Sequence, residues 1–167
     1  MPRLFFAIWP DDAATARLAA HAAELAERLG GRPVPAANIH LTLGFLGKVA
    51  DERVPEAMAV RVKQPSFQLT SDFLGSFRGA RAAWAGIEPV PEGLYTLYHL
   101  LSAELRERGF ALEERRFVPH LTLVRKIERL QPRIPVEPIR WTARSVQLMR
   151  SETGISRYSR LGGWRLK

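Results

Sequence analysis

Cysteine is absent from the 167 residues, which excludes disulfide staples, thiolate metal centres and a cysteine nucleophile. Histidine is scarce, at four residues. Any zinc would have to rest on those imidazoles and carboxylates, and no His-x-His or HExxH spacing prepares such a site. Glycine-rich phosphate loops of either familiar type are missing. No apolar run approaches the ~20 residues of a membrane-spanning helix. The opening stretch MPRLFFAIWPDD is cut off by Pro10 and two aspartates and lacks a small-residue cleavage site. It therefore reads as a buried strand and not as a secretory signal, and the cytoplasm is the expected compartment.

What is present is ordinary globular usage, 46% hydrophobic and 25% charged, which argues against disorder. The length suits one domain, or two small lobes sharing a core. The net charge of +8 is unevenly placed. Residues 115–167 hold 13 basic residues against three acidic ones, Glu128, Glu137 and Glu152, so that segment carries +10 and the first 114 residues −2. The basic residues are mostly arginine, 21 against four lysines. The planar guanidinium fork matches phosphate oxygens and invites an anionic partner, with a merely solvated surface as the competing reading.

Periodicity predicts a strand over residues 3–9 and a helix capped by Asp11 or Asp12 that runs to residue 29, where Gly30-Gly31 stops it. A loop over 33–38 leads into a strand over 39–46, closed by Gly47. A helix is expected over 51–62, strands over 67–77 and 82–87 around a turn at Gly79, and a helix over 92–108 after the stiff Pro89/Pro91 connector. A strand over 117–124 precedes a proline-rich linker loop over 131–138, and 145–150 with 157–161 form a closing strand pair. Strands often follow one another without an intervening helix. That pattern favours an α+β fold with largely antiparallel sheets over a doubly wound parallel one.

One feature stands above this background. His40-Leu41-Thr42-Leu43 recurs letter for letter as His120-Leu121-Thr122-Leu123, eighty residues on, in a chain with four His and seven Thr. Both copies fall in a predicted strand, which reads as a duplicated lobe. Side chains alternate along a strand, so His40 and Thr42 share one face while Leu41 and Leu43 share the other, and the second copy repeats this with His120 and Thr122. If the lobes pack about a pseudo-two-fold axis, two imidazoles and two hydroxyls converge in one cleft. Such a set suits metal-free phosphoryl chemistry. One neutral imidazole takes a proton from the attacking oxygen, one imidazolium protonates the leaving oxygen, and the hydroxyls hold the non-bridging oxygens. The spacing does not choose which histidine is acid and which is base. His21 reads as exposed on its helix and His99 as remote from either motif; neither is expected to act.

These residues carry a resemblance. The paired His-x-Thr-x motifs, with RLFFAI at 3–8, GRPVPAANIHLTLGFLG at 31–47 and RFVPHLTLVR at 116–125, resemble the bacterial and archaeal RNA 2′,3′-cyclic phosphodiesterases, long labelled 2′-5′ RNA ligases, of the two-histidine phosphoesterase superfamily. The segment 151–161, with Tyr158, is similar to the closing strands of that family. The resemblance implies one domain over 1–167, bilobal and α+β, with two pseudo-symmetric lobes of mainly antiparallel sheet around a central cleft and helices outside. It implies hydrolysis of a terminal RNA 2′,3′-cyclic phosphate to a 2′-phosphomonoester without a metal or other cofactor, reversible toward 2′-5′ ligation. His40 matches the proton donor, His120 the proton acceptor, Thr42 and Thr122 the phosphate-binding threonines, and Arg125 the arginine after the second motif. Phe5 and Tyr158 are candidates for contact with a base, against simple core packing. The implied partner is RNA with a cyclic phosphate end, with no membrane, and the chain is expected to act as a monomer. Two other readings stay open: the same chemistry on a small cyclic nucleotide or an ADP-ribose cyclic phosphate, and a non-catalytic RNA-binding module.

Overall fold

The computed structural model describes residues 1–152 and 157–167. Nine strands and three α-helices follow in the order β1 (Arg3–Ile8), α1 (Asp12–Leu29), β2 (Arg32–Pro33), β3 (Leu41–Lys48), α2 (Val54–Met58), β4 (Phe67–Phe77), β5 (Ala82–Gly86), α3 (Glu92–Glu107), β6 (His120–Arg125), β7 (Ile134–Ala143), β8 (Ser145–Ser151) and β9 (Tyr158–Arg165). The strands run side by side as β7-β4-β5-β6-β3-β1-β8-β9, with the short β2 on β6. Every pairing is antiparallel. The sheet is therefore continuous, but its two four-stranded halves are joined by a single residue pair, Leu41 opposite Leu121. That seam falls at the centre of both repeated tetrapeptides.

Helix α1 forms where its sequence prescribes. The Asp11 side chain accepts from the Ala14 backbone N–H at the N-terminus, and Gly30 at φ 75° ends it. Its buried positions, Ala14, Leu18, Ala22, Leu25 and Leu29, recur every three or four residues, and it packs against β6 and β7. Helix α3 turns Leu94, Leu97, Leu101 and Leu105 inward and packs against β3 and β4. Each leucine buried this way contributes roughly 2 kcal/mol. Leu4, Phe6 and Ile8 of β1 join this core, while Phe5 and Ala7 point to the opposite face, where they cluster with Met149, Trp9 and Tyr158. The alternation of β1 thus separates a core face from a second face that carries Phe5, Ala7 and, beyond the strand's end, Trp9.

Four expectations are corrected. The helix expected over 51–62 is a 3-10 turn, Asp51–Arg53, followed by the five-residue α2, and the buried Val60 and Val62 lie beyond its end. The proline-rich stretch 131–138 is no linker loop: β7 starts at Ile134 and carries Pro135 and Pro138. Among the described residues it is an edge strand paired only with β4, where a residue without an N–H is tolerated, and the ladder is irregular between Ser71 and Phe73 opposite those prolines. The second motif strand begins at His120 and not at 117; Phe117 instead stacks on Tyr98 of α3, with centroids 4.0 Å apart. His21 is half-buried, and that burial holds its pKa below the usual 6.5. The closing pair is present as β8 and β9, while residues 153–156 of the expected 151–161 segment lie outside the described residues. Among the described residues no helix is long and apolar enough to cross a membrane.

Candidate active site

The Leu41–Leu121 pair fixes the site. In an antiparallel ladder, residues one step before and after a matched pair are themselves opposite, so this register sets His40 across from Thr122 and Thr42 across from His120. Each imidazole therefore has a hydroxyl from the other motif as its cross-strand neighbour and one from its own motif two residues on. A local two-fold axis passes through the seam. Leu41 and Leu121 are fully buried beneath it and anchor both strands to the core.

The two imidazoles are held alike. His40 Nδ1 lies 2.7 Å from the Asn38 carbonyl oxygen, and His120 Nδ1 lies 2.7 Å from the Val118 carbonyl oxygen. A carbonyl can only accept, so each Nδ1 carries the proton and each neutral ring keeps its lone pair on Nε2. For His40 that nitrogen lies 3.1 Å from Thr42 Oγ1. Aromatic rings pack around both. Phe5 and Trp9 lie near-parallel to the His40 ring at 5.1 and 4.9 Å, with Tyr158 edge-on at 5.5 Å. His120 meets the edge of Phe77 at 5.0 Å, with Trp84 at 6.2 Å.

Burial among these rings is the main reason that both imidazoles lose basicity. His40 is lowered to about 4; the Asn38 carbonyl opposes the shift, while Arg125 and His120 add to it. His120 is lowered too, with Arg125 and Arg115 reinforcing desolvation against the Val118 carbonyl. The fold thus prefers neutral His40, and the unfolded chain binds its proton more readily. Stability from this group is full above 6.5 and is lost as pH falls toward 4, a loss of order 3 kcal/mol. Urea unfolding between pH 7 and 4 should show that decline, and His40→Asn should flatten it; an unchanged slope in the variant would place the acid sensitivity elsewhere.

Strict alternation would bury Arg125 with Leu121 and Leu123, but a β-bulge reverses the phase. Trp84 of β5 faces Thr122, yet the next pair is Ala83 with Val124, so Leu123 is an extra residue. Leu123 and Val124 both turn into the core, and Arg125 emerges opposite Ala82, on the face of Trp84 and His120. The first motif does the same: Ala7 pairs with Thr42 and Phe6 with Gly44, leaving Leu43 as the bulge. The final letter of each tetrapeptide is therefore a bulge residue. Gly31, at φ 94°, allows β2 to lie against this point, since a Cβ there would run into the Arg125 carbonyl oxygen.

The structure thus gathers His40, Thr42, His120 and Thr122 at the seam, with the charge of Arg125 felt by both histidines. Phe5 is 4% exposed, with its ring packed on His40 as the core-packing reading has it, whereas Tyr158 is part-exposed and edge-on to Phe5 and His40. Sequence reasoning missed Trp9, whose indole N–H donates to the Ala37 carbonyl at 2.9 Å; it follows Phe5 and Ala7 at the next alternate position. It missed Phe77 and Trp84 around His120, and Phe45, which lies five residues after His40 as Arg125 lies five after His120. A cavity of about 540 Å³ opens on the Thr42 and His120 side of the seam, its lining also including Phe45, Phe77, Arg115 and Phe117. Among the described residues no three His, Asp or Glu side chains gather as a metal-binding group.

Comparison with known proteins finds likeness in sequence and in fold. Residues 8–84, which include the first motif, match the model of the LigT-like phosphoesterases. The chain is 35% identical over 142 residues to the RNA 2′,3′-cyclic phosphodiesterase of Escherichia coli K12, covering 81% of this chain and 80% of the relative. A crystal structure of Escherichia coli LigT with 3′-AMP superposes with a TM-score of 0.88 at 32% identity, covering 100% of this chain and 99% of that one. TT0787 of Thermus thermophilus superposes at 0.82 and 27% identity, covering 98% and 97%. With the likeness extending along essentially the whole chain, and at this identity, the protein belongs to the LigT-like phosphoesterase family.

Proposed function

We propose that this protein hydrolyses the 2′,3′-cyclic phosphate at the end of an RNA to a 2′-phosphomonoester, with His120 as base and His40 as acid. The cross-strand register at the seam supports the reading, because it puts His40 opposite Thr122 and Thr42 opposite His120 on adjacent strands, with both Nδ1 atoms engaged by backbone carbonyls and both Nε2 atoms left for proton transfer. The names of the relatives, RNA 2′,3′-cyclic phosphodiesterases, support the substrate class. The assignment of acid and base follows the resemblance to two-histidine phosphoesterases.

Neutral His120 Nε2 takes a proton from water as its oxygen attacks phosphorus. The P–O3′ bond breaks, and protonated His40 Nε2 delivers its proton to the departing O3′. Thr42 and Thr122 hydroxyls donate to the non-bridging oxygens, and Arg125 offsets their charge. The low basicity of His40 in the free protein is met by the substrate: an anionic phosphate beside Nε2 favours the imidazolium, so binding loads the acid. No step calls for a metal. A 5′-hydroxyl in the place of water, giving its proton to His120 while P–O3′ breaks and O3′ takes a proton from His40, would give a 2′-5′ linkage; the reverse of that step, O3′ attacking the linkage, would cleave it.

The test is incubation of chelator-treated protein with a short RNA ending in a 2′,3′-cyclic phosphate, the product being read by mass and phosphorus NMR. A 2′-phosphate is expected. A 3′-phosphate, or activity that only added zinc or manganese restores, would overturn the mechanism. Turnover confined to small cyclic nucleotides would overturn the RNA assignment.

A further inference from the structure

The sheet face that carries His40 extends well past the catalytic residues. Ladder partners directly opposite one another share a face, so the pairings of β3, β1, β8 and β9 define rows across it. One row runs Thr42, Ala7, Gln147, Gly163. The next runs Phe45, Phe5, Met149, Arg160, and the row beyond runs Lys48, Arg3, Ser151, Tyr158. Two features of these outer rows have no structural account. Arg3 and Lys48 are like charges directly opposite in an antiparallel pair, which is unfavourable in itself. Among the described residues neither they nor Arg160 form an ion pair, although Asp51, Glu52 and Glu152 are close by in sequence. Arg160 donates only to the Gly162 carbonyl. Between Arg3 and Lys48 and the seam, in the row of Arg160, lies Phe45, 48% exposed, an uncommon position for a large apolar ring.

We propose that Arg3, Lys48 and Arg160 form a second phosphate subsite, which takes the internucleotide phosphates on the 5′ side of the terminal nucleotide, while Phe45 offers its ring to that nucleotide's base. The subsite deepens the proposed function, on which it rests: it makes an oligonucleotide, read from its 3′ end, the preferred substrate over a mononucleotide. The spacing agrees. Arg3 lies four residues along β1 from Ala7, about 13 Å of strand, and its long side chain and that of Lys48 can reach back over Phe45. An aromatic platform beside a cationic track is the combination that holds single-stranded nucleic acid without reading its sequence. It also gives a use to the unpaired charges, since an anion between Arg3 and Lys48 turns their repulsion into shared attraction.

The experiment compares adenosine 2′,3′-cyclic phosphate with a trinucleotide ending in the same group, in the unaltered protein and in the Arg3→Gln/Lys48→Gln double variant. The unaltered protein should favour the trinucleotide in kcat/KM by about tenfold near 0.1 M salt, and that preference should shrink as salt rises, by a slope of roughly 0.7 per phosphate contact. The double variant should lose most of the preference and part of the slope yet turn over the mononucleotide within about twofold of the unaltered rate. Both residues are exposed, so the variant should fold, with its thermal midpoint unchanged or raised by relief of repulsion. Lys48→Glu should cut trinucleotide activity further. Equal loss on both substrates, or a preference that survives the double variant, would overturn the subsite. Were neither substrate turned over by the unaltered protein, the catalytic reading itself would fail; turnover of both with no preference removes the subsite alone.

Discussion

Replacing either His40 or His120 with asparagine should lower kcat/KM on an RNA cyclic phosphate by about 10²–10⁴-fold. Asparagine is the informative choice. Its amide N–H can keep the donation that Nδ1 makes to the Asn38 or Val118 carbonyl, while nothing replaces the proton-transferring Nε2. Alanine at position 40 would also open a hole among Phe5, Trp9 and Tyr158 and confuse catalysis with packing. Because the proposed scheme uses the two groups as base and acid of one displacement, the double variant should be scarcely worse than the poorer single one. A variant within tenfold of the unaltered rate would remove that histidine from the mechanism.

The pH dependence carries the same claim in another form. The proposed scheme requires one imidazole neutral and one protonated, so the rate should be bell-shaped with limbs that belong to the coupled pair. Both pKa values in the free protein lie below 6.5, that of His40 at about 4, so the optimum of kcat/KM should fall below 6.5. With substrate bound, the phosphate charge raises both, and the kcat optimum should lie at higher pH. A kcat/KM profile flat from pH 5 to 8 would sink the two-histidine scheme.

How much of this was legible in the sequence follows from the range of the forces involved. The repeated tetrapeptide is a local record of a long-range contact: each copy puts polar groups on one strand face and leucines on the other, and the leucines meet in the core at Leu41–Leu121. Helix α1 was readable with only the choice between Asp11 and Asp12 as cap left open, because its cap, its apolar period and its glycine stop all act within a few residues. Elements whose state depends on a neighbour far along the chain were not. Residues 131–138 look like a loop from their prolines, and only pairing with β4 at a sheet edge draws most of them into the strand Ile134–Ala143. The helix expected over 51–62 stops at Met58, and Val60 and Val62 are buried beyond its end. The aromatic rings around the histidines were half legible. Phe5 and Trp9 share a face by simple alternation, whereas Phe77 and Trp84 reach His120 through the pairing of β4, β5 and β6.

Arg125 is where alternation alone would mislead, and its replacement is the second large effect expected. By parity it belongs with Leu121 and Leu123 inside, and only the bulge at Leu123 delivers it to the face of the histidines. There its charge lowers the pKa of both. An Arg125→Met variant should therefore change two observables at once. It should lose about 10²–10³-fold in kcat/KM, the usual cost of removing a donor from a site where anionic charge develops. Its kcat/KM optimum should also move to higher pH, since both imidazoles regain basicity when the neighbouring cation goes. Arg125→Lys separates the contributions: it keeps the charge and hence the position of the optimum, but a point charge cannot replace the bidentate fork, so the rate should recover only in part. A merely structural arginine would lower the rate of both variants without shifting either pH profile, and that outcome would take Arg125 out of the site.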